Sequence, residues 1–234
     1  MIRLPPLVVM PPDQRFTITF YFSGDPMSHL ETYVKDACRT ESMPALSAAE
    51  YDDSYEGMHC IHGTQAVRLL HSSVGMASEI GEYLQARYLD DDINVLEELG
   101  DMMWYWAIAV DALSLNPFGL SKQGEMMAAP LSQATHVTAA DVERELFSAI
   151  GDWNDAAKKH AFYGKPLDLS EVGALLAIIY RSISDLHELR AVHSLEETLR
   201  RNIAKLRVRY PKKYSDEEAL DRDLAAERKV LEGE

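Results

Sequence analysis

The sequence has few cysteines, few basic residues and no long apolar run. Cys38 and Cys60 are the only cysteines among 234 residues, too few for a disulfide framework. The 23 Lys and Arg residues face 38 Asp and Glu residues, and a net charge of -15 repels a phosphate backbone. The longest uncharged helical run, residues 102–110, is far short of the ~20 residues that cross a bilayer. We therefore expect a cytoplasmic protein that binds neither nucleic acid nor a membrane.

The composition is that of a folded protein. With 47% hydrophobic and 26% charged residues, the chain can bury a sizeable core as one large or two small domains. Residues 1–26 differ from the rest, because two Pro-Pro pairs precede the partly alternating segment RFTITFYF and the breaker Gly24-Asp25-Pro26. They form an N-terminal extension to which the sequence assigns no role.

Two long helices are predicted in the first half of the chain. Over residues 63–87, small and apolar residues recur at three- and four-residue steps, which places them on one stripe that must pack against another element. They are Ala66, Leu69, Leu70, Ser73, Val74, Ala77, Ile80, Gly81 and Leu84. The second helix, residues 94–113, is apolar almost all round after Asp101, as expected of a central bundle helix. Residues 27–115 are thus the first helical hairpin.

An internal repeat appears when the chain is slid along itself by 73 positions. LEELGDMMWYW from Leu96 then falls over LSEVGALLAII from Leu169. We interpret residues 138–190 as a second hairpin that begins at a Thr138–Asp141 capping pattern, and residues 116–137, rich in breakers, as a linker. Residues 191–234 form a tail with two more capping patterns, at residues 194–197 and 215–218, around the basic segment NIAKLRVRYPKKY. The sequence therefore predicts an all-α four-helix bundle built from two related hairpins.

Four carboxylates follow a regular pattern in the first hairpin. Glu79 and Glu82 lie one turn apart on the first helix, and Glu98 and Asp101 repeat that spacing on the second. Small side chains accompany the first pair, where a solvated face would interleave Lys with Glu. From the spacing alone, a metal site and an ordinary charged surface are about equally supported.

Convergence of these carboxylates between two helices has a cost that must be offset. Buried carboxylates repel one another and lose hydration, so they need protons, basic partners or a divalent cation. Removal of one repelling charge is then expected to spare the fold. Oxygen ligands of this kind suit Mg²⁺ or Mn²⁺, which keep waters and share them with substrate phosphates.

The pattern Glu79-x-x-Glu82 followed by Glu98-x-x-Asp101 within EELGDMMWYWA resembles the signature of the MazG-like all-alpha nucleoside triphosphate pyrophosphohydrolases. The tail NIAKLRVRYPKKYSDEEALDRDLAAE resembles the C-terminal segment of bacterial and phage members. RTES, at residues 39–42, resembles their N-terminal region. Together these similarities cover most of residues 27–234.

The resemblance implies a fold, an activity and a set of site residues. The fold is a MazG-like four-helix bundle, and the reaction is hydrolysis of a nucleoside triphosphate to monophosphate and pyrophosphate by a metal-activated water. Two or more Mg²⁺ ions, with Mn²⁺ as a substitute, are held by Glu79, Glu82, Glu98 and Asp101. Phosphate and nucleotide are contacted by the tail residues Asn202, Lys205, Arg209 and Tyr210, for which a solvated basic face is the alternative.

The chain departs from the family in its second hairpin. This hairpin keeps Asp152, Asp155 and Glu171 but has Ala174 where a fourth ligand is expected. KKHAFYGKPLD, from Lys158, resembles the family's loop between its acidic motifs. We interpret the hairpin as a degenerate copy that fuses into one chain what relatives build from two subunits. The expected assembly is a homo-oligomer, at least a pseudo-dimer, and the sequence leaves open which hairpin the tail serves.

Other functions stay open at the level of sequence. A non-catalytic nucleotide-sensing bundle keeps the same fold, and a ferritin-like di-metal protein is suggested by Glu56-x-x-His59, although a second such motif is missing. We place no zinc site at His59, Cys60 and His62, whose spacing is not that of a zinc finger. Of the aromatic residues after Asp101, Tyr105 alone shares its side of the helix. No residue encodes a base or sugar preference.

Overall fold

The computed structural model describes residues 26–41, 63–128, 137–190, 193–211 and 223–233. These residues form helices and no strand, which confirms the all-α class. No helix among them is both long and apolar enough to span a membrane. The N-terminal extension lies outside the described residues, apart from Pro26. The helices are α1 Pro26–Cys38, α2 Gly63–Tyr88, α3 Asp92–Ala112, α4 Pro117–Ala128, α5 Ala139–Tyr163, α6 Leu169–Arg190, α7 Leu195–Arg209 and α8 Leu224–Glu232.

The sequence correctly places two helix starts. Thr138 caps α5, where its side chain accepts a hydrogen bond from the Asp141 backbone and the Asp141 carboxylate accepts one from the Thr138 backbone. Ser194 caps α7, where its side chain accepts a hydrogen bond from the backbone N–H of Glu197. The capping pattern at residues 215–218 lies outside the described part of the chain.

Four helices form the central bundle. α2 packs on α3 and α5, and α6 closes the bundle by packing on α5 and α3. Two fully buried tryptophans join the hairpins: Trp106 on α3 donates to the carbonyl of Leu176 on α6 at 2.9 Å, and Trp153 on α5 donates to Ser72 on α2 at 3.3 Å. Because each indole N–H finds a partner across the bundle, these large side chains fill the core and fix how the hairpins meet.

The predicted linker contains a helix, so this part of the prediction was wrong. α4 begins at Pro117, whose missing N–H is harmless in the first turn, and packs on α6 much as α1 packs on α3. A Cβ at Gly124 would lie 2.7 Å from the Ala177 carbonyl oxygen, so glycine here permits close helix packing. Pro117 and Gly124, which were interpreted as helix breakers, thus belong to a packed helix. Residues 129–136 lie outside the described part of the chain.

The side of α2 that faces the core also differs from the predicted stripe. Met76 and Tyr83 are fully buried, whereas Val74 and Leu84, assigned to the stripe, are 58% and 48% exposed. Gly81 is exposed as well. α2 carries apolar residues on two sides, and the three- and four-residue periodicity alone does not tell which side packs inward. Because the side of α2 with Met76 and Tyr83 faces the core, Glu79 also points toward the interior.

The close approach at Gly124 is testable with a matched substitution in the same α4–α6 interface. Alanine exceeds glycine in helix propensity by about 1 kcal/mol. At Gly173 a Cβ meets only Leu120 Cδ2 at 3.8 Å, so Gly173→Ala should raise the thermal midpoint. Gly124→Ala should lower it, because the new Cβ overlaps backbone that cannot rotate away. Circular dichroism melts measure both, and equal stabilisation by the two variants would contradict the packing described.

Candidate functional site

Three carboxylates meet between α2 and α3. Glu79 comes from α2, Glu98 and Asp101 come one turn apart from α3, and one oxygen from each lies within 4.8 Å of the others. Glu79 and Glu98 are each only 8% exposed, whereas Asp101 is half-buried. Oxygen atoms at this separation can hold a metal ion, and carboxylates suit a hard cation. Three of the four predicted ligands therefore converge.

Glu82 lies apart from this group. It is exposed, one turn beyond Glu79, and is not among the three carboxylates whose oxygens converge. Its charge nevertheless helps to raise the pKa of Glu79. Glu82 thus stands at the rim of the cluster rather than within it.

The cluster strongly disfavours its own full ionisation. Burial, then the charge of Asp101, raises the pKa of Glu98 to about 9. The same two causes raise the pKa of Glu79 to about 7. Both values lie above the ordinary glutamate value of 4.5, so the folded state holds protons that the unfolded state releases. In the absence of a cation, stability is therefore lost progressively as pH rises from about 4.5 to about 9.

Helix α7 supplies a positive charge to the cluster. Lys205 is fully buried, and its ammonium donates to both oxygens of Asp101 at 2.7 Å and to Glu97 at 3.1 Å. Asn202, also buried, donates its amide to Asp101 at 2.6 Å. Burial lowers the pKa of Lys205, but Asp101 and Glu97 raise it by more, so the side chain stays charged. The tail therefore serves the first hairpin, and these two residues are not a solvated basic face.

Arg209 and Tyr210 occupy different surroundings. The Arg209 guanidinium binds both carboxylate oxygens of the buried Glu227 on α8, at 3.0 and 2.5 Å. Tyr210 is buried in the core, and its backbone carbonyl accepts a hydrogen bond from Arg39 at 3.5 Å. The structure thus uses Arg209 to dock α8 and does not place these two side chains among the three carboxylates.

A cavity of about 440 Å³ opens beside the cluster. Tyr105 lines the cavity and packs its ring directly against Gly75. Its pKa is raised by burial and then by Glu79 and Asp101, so it also lies within electrostatic reach of the cluster. Trp104 is held by the Ala37 carbonyl at 3.0 Å and Trp106 is core, so Tyr105 is the aromatic at the cavity. The other lining residues are Glu41, Val67, Arg68, Leu70, His71, Val74, Gly75 and Ser78.

The polar wall of this cavity could not be recognised from the sequence. Arg68 binds Glu41 at 2.7 Å and Asp111 at 2.7 Å, and the His71 ring meets Tyr105 edge-on at 5.4 Å between centroids. Glu41 belongs to the RTES segment, whose resemblance was noted without a partner for it. Glu41 and Arg68 are distant in sequence, and they meet because α1, which ends just before Glu41, packs on α3, the neighbour of α2.

The acidic residues of the second hairpin are arranged differently. Asp152 and Glu171 are exposed. Asp155 binds Lys158 at 2.7 Å and Lys159 at 2.5 Å on its own helix, which lowers its pKa to about 2. Among the described residues, the cluster of Glu79, Glu98 and Asp101 is the group of acidic or metal-ligating side chains close enough to share an ion. Glu56, His59, Cys60 and His62 lie outside those residues.

Comparisons with known proteins gave no relative. Neither the protein-family models nor the curated proteins contain a match to this chain. The solved structures contain none either. Function is therefore inferred from the carboxylates, the tail and the cavity.

The pairing of Lys205 with Asp101 corrects the expectation that loss of any one carboxylate spares the fold. Asp101→Asn should lower the free energy of unfolding by about 3 kcal/mol, because a buried ammonium loses its nearest counter-ion. Glu98→Gln should raise it, and the gain should grow as pH rises toward the Glu98 pKa of about 9. Urea unfolding in EDTA at several pH values measures both. Changes of the same sign in the two variants would refute the assignment of charges.

Proposed function

We propose that the protein hydrolyses nucleoside triphosphates to the monophosphate and pyrophosphate, with a divalent cation held by Glu79, Glu98 and Asp101. The observation that carries this proposal is a buried three-carboxylate cluster with a charged lysine against it. The resemblance to MazG-like pyrophosphohydrolases supports the same site from the sequence.

The donor set fits Mg²⁺, with Mn²⁺ as a substitute. All three groups are carboxylates, and Mg²⁺ binds proteins through one or a few carboxylates while keeping waters for substrate phosphates. Burial, then the charge of Asp101, raises the pKa values of Glu79 and Glu98 even with Lys205 in place, so a bound cation would favour the ionised forms of both carboxylates. When bound, the cation neutralises part of the triphosphate charge and activates a water for attack.

The reaction needs a proton acceptor near the attacked phosphorus. Water attacks the α-phosphorus, the bond to the oxygen that bridges the α- and β-phosphates breaks, and pyrophosphate leaves with that oxygen. We assign the departing water proton to Glu79, which reaches the cluster from the opposite helix to the other two carboxylates. Glu82, at the exposed rim, completes the acidic surroundings. No covalent bond to the protein is formed.

The tail positions the cluster and adds positive charge. Lys205 and Asn202 hold the Asp101 carboxylate from α7, which fixes the orientation of one ligand. Lys205 also brings its ammonium next to Asp101, so its positive charge would lie close to substrate phosphates bound through a cation at the cluster. Arg209 and Tyr210 are assigned to the nucleotide site by resemblance, and the charge of Asp101 helps to raise the pKa of Arg209, so this guanidinium lies within electrostatic reach of the cluster. For Arg209 to bind phosphate, it must exchange the Glu227 carboxylate for the substrate.

The cavity next to Tyr105 is the place we propose for the nucleoside. Its volume of about 440 Å³ and its mixed lining of aliphatic, aromatic and polar side chains are typical of small-molecule pockets. Tyr105 lines the cavity and senses the charges of Glu79 and Asp101. A nucleotide whose base lies in the cavity can therefore extend its phosphates toward these carboxylates. Base and sugar selectivity would then come from Arg68, His71 and Glu41.

Turnover is the test that separates this proposal from a nucleotide-sensing bundle. With Mg²⁺ present, a panel of standard dNTPs and NTPs should include substrates that yield pyrophosphate and not orthophosphate. Glu79→Gln should reduce that rate by more than ~100-fold, because the proton acceptor is lost. The matched control is Asp152→Asn with Asp155→Asn, which should stay within a few-fold of wild type.

Two results would contradict the proposal. Binding of nucleotides without turnover would favour the sensing bundle. Loss of turnover in the double Asn variant, with Glu79→Gln still active, would transfer the site to the second hairpin.

A further inference from the structure

Helix α2 has a second apolar stripe, on the side away from the core. Its members alternate at three- and four-residue steps, the spacing of the a and d positions of a heptad repeat. They run along nearly the whole helix and are Val67, Leu70, Val74, Ala77, Gly81, Leu84 and Tyr88. We call this set the α2 seam. A seam with this period fits another α-helix laid along it.

The α2 seam carries no charge and is open to solvent over its second half and at Val74, whereas Val67, Leu70 and Ala77 are half-buried. Val74 is 58%, Leu84 48% and Tyr88 87% exposed, while Met76 and Tyr83 on the other side of the helix are fully buried. Eight residues of α2 are exposed among those whose side chains the structure describes, and Glu82 is the charged one. In a chain with 26% charged residues, a face made to meet water would carry more charge.

We propose that the α2 seam is a dimer interface, covered by the same helix of a second copy in antiparallel orientation. The pattern is complementary to itself. When the helices pair with a two-fold axis beside position 79, Val74 faces the partner's Leu84 and Ala77 faces the partner's Gly81. The large residues then meet large ones, and the small residues meet at the centre, where the two backbones can approach closely.

The residues that flank the seam permit such pairing in a strongly acidic protein. Two copies that each carry a net charge of -15 repel one another, so like charges at the edges of the interface would be costly. The flanking e and g positions of the heptads hold no acidic residue. They are His71, Ser73, Ser78, Ile80, Gln85 and Arg87.

The seam is continuous with the cavity beside Tyr105. Val67, Leu70 and Val74 belong to both, so a second copy on the seam lies along the open side of the cavity. Dimer formation would thereby exclude water from it. This interface follows from the apolar pattern of α2 and stands whether or not the cavity binds a nucleotide.

Two glycines allow a matched test on the full-length protein. A Cβ at Gly81 meets no heavy atom within 4 Å, and the same is true of Gly151, which is exposed on α5. Lysine therefore fits either position in the folded chain, and only at Gly81 does it enter the seam. Sedimentation velocity over a micromolar concentration range should show a dimer for wild type and for Gly151→Lys, and a monomer for Gly81→Lys.

Thermal melts by circular dichroism check that both variants keep the wild-type helix content, and a second variant, Leu84→Lys, should also be monomeric. A monomeric wild-type protein would overturn the proposal. A dimer that survives both Gly81→Lys and Leu84→Lys would overturn it too, because the copies would then meet through another surface.

Discussion

Burial of three carboxylates between α2 and α3 is the constraint on which the rest of the structure depends. Glu79 and Glu98 are buried and Asp101 is half-buried, so ionisation of all three together is unfavourable without positive charge nearby. The protein offsets part of this cost with Lys205, which is buried against Asp101, and this contact fixes α7 on the bundle. The remainder of the cost is met by raised pKa values at Glu79 and Glu98, caused first by burial, and the cluster could hold a metal ion.

The two hairpins differ in their contribution because their first helices, α2 and α5, turn different faces toward the core. Some matching positions are buried in both helices: Leu69 and Met76 in α2, and Val142 and Ala149 in α5. Beyond them α2 buries Tyr83 and so carries Glu79 inside, whereas α5 buries Trp153 and leaves Asp152 in water. The second hairpin thus contributes core packing, and the first hairpin carries the candidate site.

Much of this could be predicted from sequence, and the failures have physical causes. The bounds of α2 and α3 follow from periodicity, and the Thr138 cap follows from its local pattern. The meeting of Glu79 with Glu98 and Asp101 was expected from the family resemblance, since spacing alone supported a charged surface equally well. α4 was missed because Gly124 reads as a breaker until its close neighbour on α6 is known. The inward side of α2 was misjudged because that helix is apolar on two sides. The partner of Arg209, Glu227, lies in a separate helix that no local pattern links to it.

The most direct test of the central claim is anomalous diffraction from crystals soaked in Mn²⁺. We expect a peak bounded by Glu79, Glu98 and Asp101, with Lys205 still beside Asp101 or displaced toward an added nucleotide. No comparable peak should appear at Asp152, Asp155 and Glu171. Manganese bound at the second hairpin, or no manganese between α2 and α3, would contradict this claim.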